Sequence, residues 1–364
     1  MSAPRPALPS PSTVFDSPGD NTATTPPERR GLRRDGVRLL VADARGISHR
    51  RFRDLPGQLR AGDLLVVNNS ATCPGEVDGR AAGRAPMVVH VASPLGGAGF
   101  PSSQWVAELR TAPDAARPIL DGRAGEVIVL PAGVRLRLVA PYPDAGSSPT
   151  GRGNRLWRVQ VIGTADLRGH LAVHGRPIAY GYLSGRFGLD DYQTVFASIP
   201  GSAEMPSAGR PFTPELITRL LARGIAIAPI TLHAGVSSQD AGEAPQAEFF
   251  DVSAATATLV NATRSAGGRV VAVGTTATRA LESAASPDGA VSRRSGGTEL
   301  VITGERGVWV VDGLITGWHN PEASHLLLVE AVVGRRLTQQ AYDAAVARRY
   351  LWHEFGDAGL LLAR

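Results

Sequence analysis

Two textures of apolar and polar positions divide the chain. From about Gly79 to His174, short β-type runs (MVVHVA, WVAELR, EVIVL, VRLRLV, LWRVQVI) are interrupted by Gly or Pro every ten residues or so, and that spacing predicts a small all-β barrel or sandwich. Within it, PYPDAGSSPTGRGN reads as a flexible loop. Elsewhere strand-like and helix-like segments alternate. VRLLVADARG, a short helix around DLPGQLR and the buried strand GDLLVVNN precede the β-rich stretch. Beyond Tyr180, Thr213-Pro214-Glu215 signals a helix start, Leu216, Ile217, Leu220 and Leu221 its buried stripe, and Gly224 its end. The strand IAIAPITLH follows, then a helix from Ser253 to Gly267. RVVAVGTTATRALES reads as strand, turn and helix, and two further helices are expected over 322–333 and 338–350.

This order predicts an α/β fold: a main domain of residues 36–78 and 176–364, carrying residues 79–175 as an inserted small all-β barrel domain. Residues 1–35 are rich in Pro, Ser and Thr and are expected to form a disordered tail. Composition agrees with a folded chain, since 43% of the 364 residues are hydrophobic and 20% charged. No apolar run reaches the roughly 20 residues of a membrane helix, and no apolar signal core precedes residue 20, so a cytoplasmic location is expected. The single cysteine, Cys73, excludes an internal disulfide. All 38 basic residues are arginine, which excludes a Schiff-base lysine and a phosphate-loop lysine. The net charge of +5 permits a polyanionic partner without requiring one.

Candidate chemistry gathers at element ends. Gly274, Thr275 and Thr276 form a strand-to-helix turn whose free N–H groups suit an anion or hydroxyl, although an ordinary capped connection has the same composition. Arg279 and Glu282, near the start of the same helix, would add one charge of each sign at its mouth. His233 and His319 each end a strand-like segment, where ligands of α/β sheets collect, so either is a candidate acid or base or a structural histidine. Neither has a partner at metal-ligand spacing, and no metal is expected. Asp191, Tyr192, Gln193 and Thr194 lie in a dense polar run after the glycine-rich GYLSGRFG, a loop composition that favours function over a plain turn.

Taken in order, GDLLVVNN, DDYQTVFA, PSAGRPFT, ITLHAG, AVGTTATRALES, VDGLITGWHNP and FGDAGLLL resemble the queuosine-pathway S-adenosylmethionine:tRNA ribosyltransferase-isomerases, from about residue 36 to the C-terminus. The resemblance implies an enzyme that moves the ribosyl unit of S-adenosylmethionine onto the aminomethyl group of a 7-deazaguanine in tRNA, releasing adenine and methionine. It implies S-adenosylmethionine as co-substrate and tRNA as partner. On it, His233, His319 and Tyr192 are the catalytic candidates, the roles of the two histidines staying open. Asp191, Gln193 and Thr194 would position substrate, the Gly274–Thr276 turn would hold the donor, and Trp318 or Glu330 would face the cationic sulfur. The family pattern is altered at Asn69–Thr72, at Arg210 and Pro211, at Ser237, Ser238 and Gln239, at Gln246 and at Gly317 and Trp318. These departures leave two alternatives beside the family reaction: a different acceptor, or binding without turnover.

Overall fold

The structure is a computed structural model that describes residues 8–363 apart from 17, 18, 20, 96–101, 145–152, 238–242 and 322. In chain order its strands are β1 (Arg38–Asp43), β2 (Gly46–Arg51), β3 (Leu64–Asn68), β4 (Ser70–Thr72), β5 (Glu76–Gly79), β6 (Met87–Pro94), β7 (Gln104–Thr111), β8 (Val127–Val129), β9 (Arg135–Pro141) and β10 (Leu156–Ile162). Helix α1 (Leu167–His174) and strand β11 (Ile199–Ser202) follow, then α2 (Pro214–Ala222), β12 (Ala226–Leu232), β13 (Glu248–Val252), α3 (Ala254–Ser265), β14 (Val270–Val273) and α4 (Thr275–Ala284). The chain ends with β15 (Arg294–Thr298), β16 (Gly313–Thr316), α5 (His325–Val333), α6 (Arg335–Ala347) and β17 (Ala358–Leu362).

A nine-stranded sheet runs β15-β13-β12-β3-β14-β16-β17-β1-β2. Its centre is parallel, β12 with β3, β3 with β14 and β14 with β16, while β13, β15 and β2 add antiparallel edges. The central strands LLVVN and VVAV are buried on both faces, which is why they read as unbroken apolar runs. One face packs on α3, α4, α5 and α6 through Val260, Leu281, Leu326 and Tyr342; the other packs on α2 and the turn at Phe52–Gly57 through Leu216, Leu220, Phe52 and Phe212. Thr213 caps α2 by accepting from the Leu216 amide at 3.2 Å, and Ser253 caps α3 at the Thr256 amide at 3.1 Å.

A second, wholly antiparallel sheet runs β5-β6-β7-β10-β9-β8. Reciprocal backbone bonds between Arg80 and Val129, at 2.9 and 2.7 Å, tie its two ends and nearly close it into a barrel. Its interior is filled by Val77, Val89, Leu109, Leu136 and Trp157. The loop expected around PYPDAGSSPTGRGN falls partly outside the described residues.

Several expectations need correction. DLPGQLR forms part of a 3-10 turn, Phe52–Gly57, because Pro56 cannot donate the amide an α-helix requires there. The end of the stretch expected to be all-β is instead a helix, α1, capped by Asp166 and carrying His170 and His174. Of the N-terminal segment expected to be disordered, residues 1–7, 17, 18 and 20 lie outside the described residues, and the described part is tied to the globule. Ser12 and Thr13 donate four hydrogen bonds of 2.6–2.9 Å to the Glu330 carboxylate, Phe15 stacks on Trp352 at 5.6 Å, and Ala23 bonds to Trp352. Polar composition concealed this, because most of the contacts are hydrogen bonds to distant partners such as Glu330 and Gln339, and one residue, Phe15, supplies the aromatic contact with Tyr342 and Trp352. Among the described residues no helix is long and apolar enough to cross a membrane.

Candidate active site

A cavity of about 920 Å³ opens beyond the carboxyl ends of β12, β14 and β16, where it meets the barrel side of the molecule. Such crevices are the usual ligand sites of open α/β sheets. One wall is the β14–α4 turn. Gly274 adopts φ 92°, a left-handed conformation open to glycine, and directs Thr275 and Thr276 to the cavity. As the first residues of α4, Thr275, Thr276 and Ala277 present amides with no preceding helical carbonyl to meet them. Asn68, which ends β3, braces this turn: its amide nitrogen donates to Thr276 Oγ1 at 3.2 Å and to the Leu232 carbonyl at 2.9 Å.

The β16 end supplies the next wall. His319 lies on the cavity, its Nε2 at 3.1 Å from Thr316 Oγ1 and its ring stacked on His325 with centroids 4.5 Å apart. Burial, then the neighbouring His325 and His353, hold its pKa well below the ordinary histidine value, so the ring is neutral at physiological pH. Tyr192 also reaches the cavity; only 3% exposed, it has a phenol hydroxyl without a partner among the described residues. Burial first, then the Glu354 charge, raises that hydroxyl above its usual range, so it stays a proton donor.

Other candidates sit elsewhere. His233 does not line the cavity. Its Nδ1 contacts Ser70 Oγ at 2.8 Å, its ring stacks on Phe249, and Gly201 backs onto it so closely that a Cβ there would lie 2.4 Å from the ring. Burial lowers its pKa to about 4. Within the DYQT run only Tyr192 reaches the cavity. Gln193 clips its loop to β4, accepting from the Thr72 amide at 3.0 Å and donating to the Thr72 carbonyl at 2.8 Å. Asp191 faces Arg29 at 3.5 Å and Arg210 at 4.0 Å, and Thr194 accepts from the Phe196 amide at 3.3 Å. A polar loop thus proves to be mainly a hydrogen-bonded buckle.

The charges expected at the mouth of α4 are also occupied. Arg279 borders the cavity but pairs with Glu248 and bonds to the Leu300 carbonyl at 3.0 Å, tying α4 to β13. Glu282 points away, accepting the amides of Trp309, Val310 and Val311 at 2.9–3.3 Å and pairing with Arg306 at 3.0 Å. Trp318 touches the cavity, yet it is only 2% exposed and packs edge-on against Tyr342, Tyr350 and Trp352, so it serves chiefly as core. Glu330 is consumed by Ser12 and Thr13. Ser238 and Gln239 lie outside the described residues.

Sequence reasoning missed Tyr180, Tyr182, Glu204, His325, His353 and Glu354, all on the cavity. None lies in a local pattern that marks chemistry; only the fold brings residues near 180, 204 and 354 together.

Residues 12–361 match the model of a family described as queuosine biosynthesis protein. The chain belongs to that family. Among curated queuosine biosynthesis relatives, the S-adenosylmethionine:tRNA ribosyltransferase-isomerase of Methylocella silvestris is 38% identical over 365 residues, covering 95% of this chain and 96% of its own. The protein of the same name from Gloeobacter violaceus is 37% identical over 342 residues, with 90% of each covered. A crystal structure of S-adenosylmethionine tRNA ribosyltransferase from Thermotoga maritima superposes with a TM-score of 0.51 at 27% identity, spanning 96% of this chain and 99% of the other. The family's mixed α/β fold with its barrel-like antiparallel sheet is therefore the one found here.

Proposed function

We propose that this chain is a cytoplasmic S-adenosylmethionine:tRNA ribosyltransferase-isomerase, transferring the ribosyl group of S-adenosylmethionine to the aminomethyl group of 7-aminomethyl-7-deazaguanine in tRNA. Full-length similarity to proteins of that name supports the reaction. The observation that carries the site is one cavity combining the unsatisfied start of α4, a neutral histidine and an unpartnered phenol.

S-adenosylmethionine supplies a sulfonium that acidifies the adjoining ribose C–H and a ribosyl group to transfer. The chain's residues fit what remains to be done. The amides of Thr275, Thr276 and Ala277, with the two threonine hydroxyls, would bind a carboxylate or ribose hydroxyls. His319 would accept a proton at one ring nitrogen, and its neutrality keeps that nitrogen basic in form. Thr316 and His325 fix the ring plane. Tyr192 would donate a hydrogen bond from a hydroxyl that no group among the described residues uses. His233, away from the cavity, would position β4 through Ser70 rather than touch substrate.

The test is to mix purified protein with S-adenosylmethionine and tRNA bearing the aminomethyl-deazaguanine and to measure adenine and methionine. Release dependent on that tRNA is expected. Release without it, or none, would sink the reading.

A further inference from the structure

The cavity has an acidic corner that the roles above leave unused. Glu204, just after β11, and Glu354, just before β17, both line it. Each is held by a tyrosine. Tyr180 donates its hydroxyl to Glu204, which also accepts from the Ser237 side chain and from the Ser237 amide at 3.1 Å. Tyr182 donates to Glu354 at 2.6 Å. The rings of Tyr180 and Tyr182 stack at 6.0 Å, and His353 stacks on Tyr182 at 4.6 Å, forming one aromatic surface beside the two acids.

Among the described residues neither carboxylate makes an ion pair. Nearby cations are engaged elsewhere: Arg110 with Glu108 at 2.5 Å, and Arg279 with Glu248. Burial first, and then the Glu204 charge, push the Glu354 carboxyl up to about 7. Groups facing this corner do not offset it, because Tyr180, Tyr182 and Tyr192 are raised and remain neutral phenols, while burial lowers His353 to about 4. Two acids beside aromatic faces, without a protein cation, are arranged for a cation from outside.

We propose that Glu204 and Glu354, oriented by Tyr180 and Tyr182, form the seat of a primary ammonium group of the substrates. A primary ammonium fits better than the sulfonium, because it donates up to three hydrogen bonds and these carboxylates retain acceptor capacity. The assignment rests on the proposed function, in which two groups have this chemistry: the aminomethyl of the acceptor and the α-ammonium of S-adenosylmethionine.

Calorimetry on the full chain and on Glu204→Gln and Glu354→Gln distinguishes them. The probes are S-adenosylmethionine, and two anticodon stem-loops, one bearing the aminomethyl-deazaguanine and one guanine. If the seat takes the acceptor, the preference for the aminomethyl-bearing RNA falls at least tenfold in each variant while S-adenosylmethionine affinity stays within twofold. If it takes the donor, S-adenosylmethionine affinity falls at least tenfold. Changes below twofold for every probe, in variants whose thermal unfolding remains cooperative, would overturn the seat. Glu354→Asp, which keeps the charge, is expected to retain more binding than Glu354→Gln; equal loss would mean a packing role and also overturn it. Turnover by the native chain is measured in parallel, so its failure identifies an error in the proposed function separately from an error in the seat.

Discussion

The outer face of the barrel and the cavity both bury ionisable side chains, and they treat them in opposite ways. On the barrel's outer face, opposite Val77, Val89 and Leu109, Glu76 accepts from His90 at 2.9 Å and Arg176 at 2.5 Å, and it also pairs with Arg186. His90 lies between Glu76 and Glu108, and Glu108 meets Arg110 and Arg155 at 2.5 and 3.1 Å. Despite burial, their cationic partners hold both glutamates down to about 2, and the same acids raise His90. In the cavity, Glu204 and Glu354 accept from hydroxyls and an amide, and the first amides of α4 have no helical acceptor. Opposite charge satisfied internally holds a fold together; polar capacity left open inside a crevice awaits a ligand.

The largest effect should come from His319. If it transfers a proton, His319→Ala lowers adenine release by about 10²–10⁴-fold with little change in S-adenosylmethionine affinity; a loss under threefold in a steady-state assay would remove it from catalysis. Glu108→Gln is expected to cost about 3–5 kcal/mol of unfolding free energy, because buried Arg110 and Arg155 lose the charge of Glu108, although Arg155 keeps Glu243 and His90 keeps Glu76. For Glu108 the folded pKa, about 2, is below the unfolded value of 4.5. Its contribution is thus fully present above pH 4.5 and is lost as pH falls through 2. Urea titrations of native protein and variant should therefore converge toward the acid end of that window, and parallel curves would break the contrast.

A smaller loss, about 1–2 kcal/mol of S-adenosylmethionine binding, is expected for Thr275→Ala with Thr276→Ala, since the α4 amides remain. Unchanged binding in calorimetry would move the donor elsewhere. Smallest of all, His233→Asn should lower stability by about 1 kcal/mol while leaving turnover per folded molecule within about threefold. A collapse of turnover would return His233 to the reacting centre.

The β-rich stretch and the helices after Ser253 were legible because periodicity and caps are local signals. The strand β15, with sequence RSGGT, was not, since an edge strand with little apolar content carries no alternation. At the site, the turn at Gly274 and the segment end at His319 were legible from their positions. For Gln193, Arg279 and Glu282 the sequence leaves the partner open, because a polar side chain in a suggestive motif looks the same whether it meets substrate or protein. Glu354 was invisible because its environment is made by Tyr182, 172 residues away in the chain.

The anchoring of Ser12 and Thr13 on Glu330 has a practical corollary for anyone preparing this protein. Trimming the leader as dispensable would leave a carboxylate on α5 stripped of four donors and bare the Trp352 ring beneath Phe15. Amide exchange should then quicken first in α5 and α6, and because His325 and Leu328 of α5 line the cavity, the loosening reaches its wall.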